Sequence, residues 1–176
     1  MRNARPGSAM KLLHVADLHL GAPYTSFGDL GPDRAREVLD AFRRLPQAAT
    51  REGVDAVLVA GDLFDGPRPD ADTLAAVRDV LRRLVDACIP VFMVPGNHDA
   101  VTLRLNPYRE LARGSRVVVQ RDDTATRHRW PVADDRGRQL AEKHRVYVLA
   151  RPRFAAPVTV QTESGPLHVY GVAYDG

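Results

Sequence analysis

Val91-Phe92-Met93-Val94-Pro95-Gly96-Asn97-His98-Asp99 is an apolar run that stops at a small polar tip. Val91 to Val94 is too short for a helix and rich in β-branched and aromatic residues, which predicts a buried strand. Pro95-Gly96 ends it. Asn97, His98 and Asp99 then place an amide, an imidazole and a carboxylate just past the strand's carboxyl end, where open α/β sheets hold their chemistry. Two other stretches have the same form: Leu12 to Ala16 runs into Asp17-Leu18-His19, and Ala56 to Ala60 runs into Gly61-Asp62-Leu63-Phe64-Asp65. An Asp or Asn after a strand is an ordinary turn former. Asp-x-His, Gly-Asp-x-x-Asp and Gly-Asn-His-Asp, in that order, exceed what turns require. They predict three strands that deliver acidic, imidazole and amide groups to one rim.

The chain between these tips predicts how the strands are joined. Gly21 to Pro32 is rich in Gly, Pro, Ser and Asp and reads as a loop beside the first tip, with Tyr24 and Phe27 expected to pin it to the core rather than line a substrate groove. Asp33 is a candidate N-cap for a helix in which Val38, Leu39, Phe42 and Leu45 recur at helical spacing; Pro46 should kink or split it and Gly53 should end it. Past Asp65, Gly66-Pro67-Arg68-Pro69 is a tight loop, and Asp70 or Asp72 caps a second helix. Its apolar stripe is Leu74, Val77, Leu81, Leu84 and Val85, while Arg78, Arg82 and Arg83 are expected to face water or a partner. Two successive β-α-β units imply parallel strand pairs, hence an α/β fold with its site on the carboxyl rim.

A length of 176 residues suits one domain with a sizeable core. Hydrophobic residues at 44% and charged residues at 27% describe a globular chain rather than a disordered one. Residues 1–10 carry two arginines but no apolar run long enough for a signal peptide or a membrane span. They read as a flexible leader ahead of a domain over 11–176, and Met10 is an alternative start. The single cysteine, Cys88, excludes an internal disulfide, fits a reducing cytoplasm, and is expected to be a small buried hydrophobe.

The second half is less patterned. Ala100 to Ala112 has a weak helical pattern broken by Asn106-Pro107. Val117 to Gln120, Arg145 to Ala150, Val158 to Gln161 and Leu167 to Val172 read as strands, the last two joined by a turn at Glu163-Ser164-Gly165-Pro166. The formal charge is +3, and Arg121 to Arg153 holds nine Lys and Arg against five Asp and Glu. A basic surface attracts phosphate backbones, although solvated charged loops give the same composition.

Taken together, the three tips resemble the first three sequence blocks of the calcineurin-like metallophosphoesterases. The wording Leu13-His14-Val15-Ala16-Asp17-Leu18-His19-Leu20-Gly21, Gly61-Asp62-Leu63-Phe64-Asp65 and Val94-Pro95-Gly96-Asn97-His98-Asp99 is similar to the DNA-repair exonuclease branch, the SbcD-type nuclease subunits. The likeness covers residues 11–99 and, more loosely, 167–174. It implies an αββα sandwich, incomplete at the C-terminus, and a pair of divalent ions about 3.5 to 4 Å apart that clamp a phosphoryl group. Asp17, His19, Asp62 and Asn97 take the ligand positions, with Asp62, at the end of the middle strand, bridging the ions. Oxygen and nitrogen donors without thiolate suit manganese, iron or zinc, and manganese is the family's usual activator.

In the same resemblance His98 is not a ligand but the group that contacts the phosphate and protonates the leaving oxygen, with Asp99 holding its ring. Asp65 braces the loop, and Arg68 is a candidate phosphate contact. The resemblance further implies DNA as substrate and a coiled-coil ATPase as partner; a homodimer is compatible with it, and a membrane is not implied. One departure stands out. The family completes its metal pair with later histidines in Gly-His and Gly-His-x-His blocks, and His128, His144 and His168 lack that setting, His168 reading as structural within a strand. The expectation is therefore an N-terminal catalytic part of a longer enzyme, weak or inactive by itself. Rival readings are a phosphoesterase for a small phosphoester or nucleotide, and a non-catalytic scaffold of the same fold.

Overall fold

The computed structural model describes residues 9–100, 106–112, 117–120, 146–151 and 157–174. The proposed leader up to residue 8, the basic window over 121–145, His128 and His144 lie outside the described residues. So do 101–105 of the weak helical stretch.

Strands β1 (Leu12–Ala16), β2 (Ala56–Ala60), β3 (Val91–Val94), β4 (Val117–Gln120) and β5 (Val146–Leu149) form one sheet in the order β1-β2-β3-β5-β4, every neighbouring pair parallel. Helices α1 (Gly31–Arg43) and α2 (Leu45–Glu52) connect β1 to β2, and α3 (Ala71–Asp86) connects β2 to β3. These are the two expected β-α-β units. A short helix, α4 (Pro107–Ala112), follows β3, and β6 (Val158–Thr162) with β7 (Gly165–Val169) makes a separate antiparallel hairpin.

Side chains alternate across a strand, and here the alternation sorts one sheet into two cores. Val57, Val59, Val91, Met93, Val146 and Val148 face the helices and pack with Phe42, Leu45, Val77, Val80, Leu84, Tyr108 and Leu111. Ala56, Leu58, Phe92, Val94, Tyr147 and Leu149 face the hairpin and pack with Val158, Val160, Leu167 and Val169. The rings of Phe92 and Tyr147 stack at 5.4 Å across β3 and β5. Helices, parallel sheet and hairpin are thus stacked layers of the expected α/β class.

Several local expectations change for identifiable reasons. The first helix begins at Gly31, ahead of Asp33, because Pro32 sits in the first turn, where its fixed φ suits a helix and no N–H is needed. A side chain on Gly31 would stand 2.8 Å from the carbonyl oxygens of Pro23 and Tyr24, so only glycine fits that entry. The break expected at Pro46 falls at Arg44, with Pro46 in the first turn of α2 and Gly53 left-handed at its end. Cys88 is exposed, contrary to expectation: it takes φ 60° in the turn after α3, which swings its side chain outward, and Ile89 enters the core instead. Phe27 is 52% exposed and pairs edge-to-face with Tyr24 in a 3₁₀ turn over Thr25–Leu30, so it does not pin the loop to the core. The hairpin turn is only Glu163-Ser164, because Thr162 already pairs with Gly165, and β7 ends at Val169 rather than Val172.

Asp70, not Asp72, caps α3. Its Oδ1 accepts from the Thr73 backbone N–H at 2.7 Å and its Oδ2 from the Thr73 hydroxyl at 2.7 Å. Those two hydrogen bonds, the backbone one first, hold the carboxyl below its ordinary pKa. An N-cap of this kind contributes about 1 kcal/mol. Asp70→Ala should therefore lower urea-unfolding stability by about that amount at neutral pH. A group with a depressed folded pKa stabilises above its unfolded value, so the gap between variant and wild type should close as pH falls through the folded pKa.

Candidate metal centre

The strand register sets the three tips level. Ala16 pairs with Ala60 and Ala60 with Val94, so Asp17, Gly61 and Pro95 leave the sheet side by side. The first two tips then remain zipped by backbone hydrogen bonds: Asp17 N–H to the Gly61 carbonyl (3.2 Å), His19 N–H to Asp62 (2.9 Å), Leu20 N–H to Leu63 (2.9 Å) and Asp65 N–H to Leu20 (3.1 Å). The third is tied to the second through Gly61 N–H to the Val94 carbonyl (2.9 Å) and His98 N–H to Asp62 Oδ1 (2.9 Å).

This zipper has a conformational cost. Asp17 (φ 51°), His19 (φ 45°) and Asp62 (φ 45°) all lie in the left-handed region, where a non-glycine residue is held at a cost on the order of 1 kcal/mol. Three of the four residues expected as metal ligands are therefore strained. Strain of this kind persists where the surroundings over-determine it, and it gathers at functional sites.

The geometry brings Asp17, His19 and Asp62 together, each offering a donor atom within 4.8 Å of the others, with His19 Nε2 4.0 Å from Asp62 Oδ2. Asp62 is only 7% exposed and Asp17 is open to solvent. Two carboxylates and an imidazole this close, with no thiolate, fit a divalent cation, which would relieve the carboxylate repulsion. Asn97 is exposed between Gly96, which packs on Asp62, and His98, whose amide donates to Asp62. Arg68 is exposed. His168 lies on the hairpin, 2.8 Å from the Thr159 hydroxyl.

The rings of His19 and His98 meet edge-to-face at 4.7 Å, so His98 stands on the same rim. Its Nδ1 lies 3.0 Å from the Asp65 carbonyl oxygen. That bond raises the imidazole above its ordinary pKa; desolvation opposes it, and the nearby carboxylates of Asp62, Asp65 and Asp99 add to it. Asp99 does not take the role expected of it. It is fully buried, and it accepts from the backbone N–H groups of Gly96 (2.8 Å) and Phe64 (3.2 Å) and from the Tyr108 hydroxyl (2.7 Å). Burial raises its pKa, and the three donors oppose that shift.

The carbonyl of Asp65 holds the His98 ring instead, while the Asp65 carboxylate reaches His19 Nδ1 at 3.2 Å. Asp65 thus braces two imidazoles as well as its own loop. Tyr108 was not indicated by any spacing in the sequence.

Gly96 marks how tightly the tips are packed. A Cβ there would lie 2.6 Å from the Asp62 backbone nitrogen and 2.5 Å from its Cγ. Gly96→Ala should cost about 1 to 3 kcal/mol in urea unfolding, as overpacking does, and should weaken divalent-cation binding with it. In cation-free protein, the His98 ring resonances should titrate above the ordinary imidazole value. Because that pKa is raised by folding, the matching stability is present below the unfolded value and is lost as pH rises through the folded one.

Comparisons with known proteins agree with the geometry. The family model for calcineurin-like phosphoesterases matches residues 10–155. The chain is 43% identical over 96 residues to the DNA double-strand break repair protein Mre11 of Aeropyrum pernix, covering 53% of this chain and 22% of the relative. It is 36% identical over 90 residues to the protein of that name from Saccharolobus solfataricus (51% and 23%), and 31% identical over 145 residues to that from Methanosarcina mazei (76% and 23%). The chain spans less than a quarter of the length of these relatives. A matched region that takes in all three strand tips, and a rim on which two carboxylates and two imidazoles meet, place the chain in the calcineurin-like phosphoesterase family.

Proposed function

We propose that this chain carries the N-terminal part of a manganese-dependent phosphodiesterase site that acts on DNA ends, an exonuclease activity within a DNA-repair assembly. The observation that carries the reading is the convergence of Asp17, His19 and Asp62 within 4.8 Å, with the His98 ring 4.7 Å from that of His19. The names of the relatives, DNA double-strand break repair proteins, support DNA as the substrate and repair as the setting; a coiled-coil ATPase is the proposed partner and a homodimer a further assembly. Among the described residues no helix is long and apolar enough to cross a membrane; a cytoplasmic location is part of the proposal.

Asp17, His19 and Asp62 would hold one cation, and Asp62 with Asn97 would begin the shell of a second. Bound there, divalent cations supply charge neutralisation for the phosphoryl group and lower the pKa of a nucleophilic water. The remaining work belongs to the chain. Asp62, nearly buried and fixed by the His98 amide, would share its carboxylate between the two cations. His98, with its protonated form favoured by the Asp65 carbonyl, would give a proton to the departing oxygen. Its side chain is 43% exposed, which suits a long polymeric phosphodiester better than an enclosed small one.

In the complete protein, His98→Ala should lower turnover of a generic aryl phosphodiester by about 10²- to 10⁴-fold while leaving manganese affinity unchanged. Asp62→Ala should lose both. Duplex DNA should compete with the aryl ester, and turnover indifferent to His98 or to DNA would remove the corresponding part of the reading.

A further inference from the structure

Nine residues beyond Asp99, Tyr108 is fully buried and donates its hydroxyl to Asp99 Oδ2 at 2.7 Å. The same oxygen accepts from the Phe64 amide at 3.2 Å, and Oδ1 accepts from the Gly96 amide at 2.8 Å. One buried carboxylate therefore ties the loop carrying Asp62 and Asp65 to the loop carrying Asn97 and His98. Tyr108 is the one side-chain donor in that clasp among the described residues, and its ring meets Phe64 edge-to-face at 6.1 Å.

Tyr108 is itself anchored. Its backbone N–H donates to Asn106 Oδ1 (2.9 Å), and Asn106 Nδ2 donates to the Ala100 carbonyl (3.3 Å), which returns the network to the residue after Asp99. The start of α4 is thereby bonded to Asp99 and, through Asn106, to the residue that follows it.

We propose that Tyr108 is a positioning residue for the metal centre: by donating to Asp99 it holds the second and third strand tips at the spacing that preforms the Asp62, Asn97 and His98 arrangement. This rests on the metal-dependent reading above. The physical argument is that a buried carboxylate with three donors is rigid, whereas removing its shortest donor inside a dry core leaves charge unmatched. The two remaining bonds come from the loop backbones themselves. They loosen when Asp99 moves, and the loops part. Outer-shell partners of this kind affect affinity for the metal as well as stability.

The test uses the complete protein and Mn2+ itself. Tyr108→Phe keeps the ring against Phe64 and deletes only the hydroxyl. Val85→Ala, in the last turn of α3 at the opposite end of the sheet from the rim, serves as a control that destabilises without touching the clasp. Tyr108→Phe should raise the Mn2+ dissociation constant by about 10- to 100-fold and lower kcat for an aryl phosphodiester with little change in KM. In cation-free protein the Gly96 and Phe64 amides should exchange with solvent faster. Val85→Ala should lower Tm but leave Mn2+ affinity and those two amides as in wild type.

Wild-type Mn2+ affinity in Tyr108→Phe, or affinity that falls in step with Tm in both variants, would overturn the positioning role. A wild-type protein that binds no divalent cation and hydrolyses nothing would instead overturn the metal-dependent reading. The amide-exchange comparison in cation-free protein separates these cases: faster exchange shows the clasp intact in wild type, and unchanged exchange removes it.

Discussion

The site depends on parallel strand pairing that continues beyond the sheet. Parallel β1, β2 and β3 end at one level, and the hydrogen bonds between the first two tips run on from Asp17 and Gly61 through Leu20 and Leu63. Without that extension each tip would be an ordinary polar turn. With it, Asp17 and His19 are fixed opposite Asp62 and Asp65, and backbone amides rather than flexible side chains set the spacing. Backbone pairing is the stiffer device, because it leaves only side-chain rotamers to settle the donor positions.

Holding the tips this way is unfavourable locally. Three left-handed residues and two neighbouring carboxylates oppose it, and the stabilising terms lie elsewhere. They come from the two apolar cores on the faces of the sheet and from the buried Asp99 clasp, where one carboxylate accepts three donors. The Asp99 arrangement also shows why a carboxylate next to a rim histidine need not hold its ring. Asp99 is turned inward to accept from the Gly96 and Phe64 amides, and the His98 ring takes its partner from the Asp65 carbonyl at the rim.

The two-faced sheet explains the position of the hairpin. β3 and β5 are apolar on both faces, the pattern of a sheet covered on both sides. The hairpin supplies the second cover through Val158, Val160, Leu167 and Val169. From β7 the chain returns toward the rim: Gly171 packs on Leu149 and Val94, Ala173 N–H donates to the Arg151 carbonyl at 2.7 Å, and Tyr174 N–H reaches the Pro95 carbonyl at 3.4 Å. The segment after the hairpin therefore runs beside the third strand tip, bonded to it at Pro95.

Read by itself, the sequence determined the parallel α/β class and the three strand tips, and it marked Asp17, His19, Asp62 and Asn97 as ligand candidates and His98 as a candidate proton donor. Each is written locally: short β-branched runs, helical stripes between them, and metal-competent residues at once past a strand end. The sequence did not determine what lies across space from what. Asp99 turned inward to Tyr108, Asp65 took the His98 ring, Cys88 pointed outward and Phe27 stayed exposed, because each outcome depends on which buried donors need an acceptor or on a backbone angle chosen by the surrounding packing. Periodicity and spacing encode what a residue can do; the partner it meets is decided only when distant loops are brought to one rim.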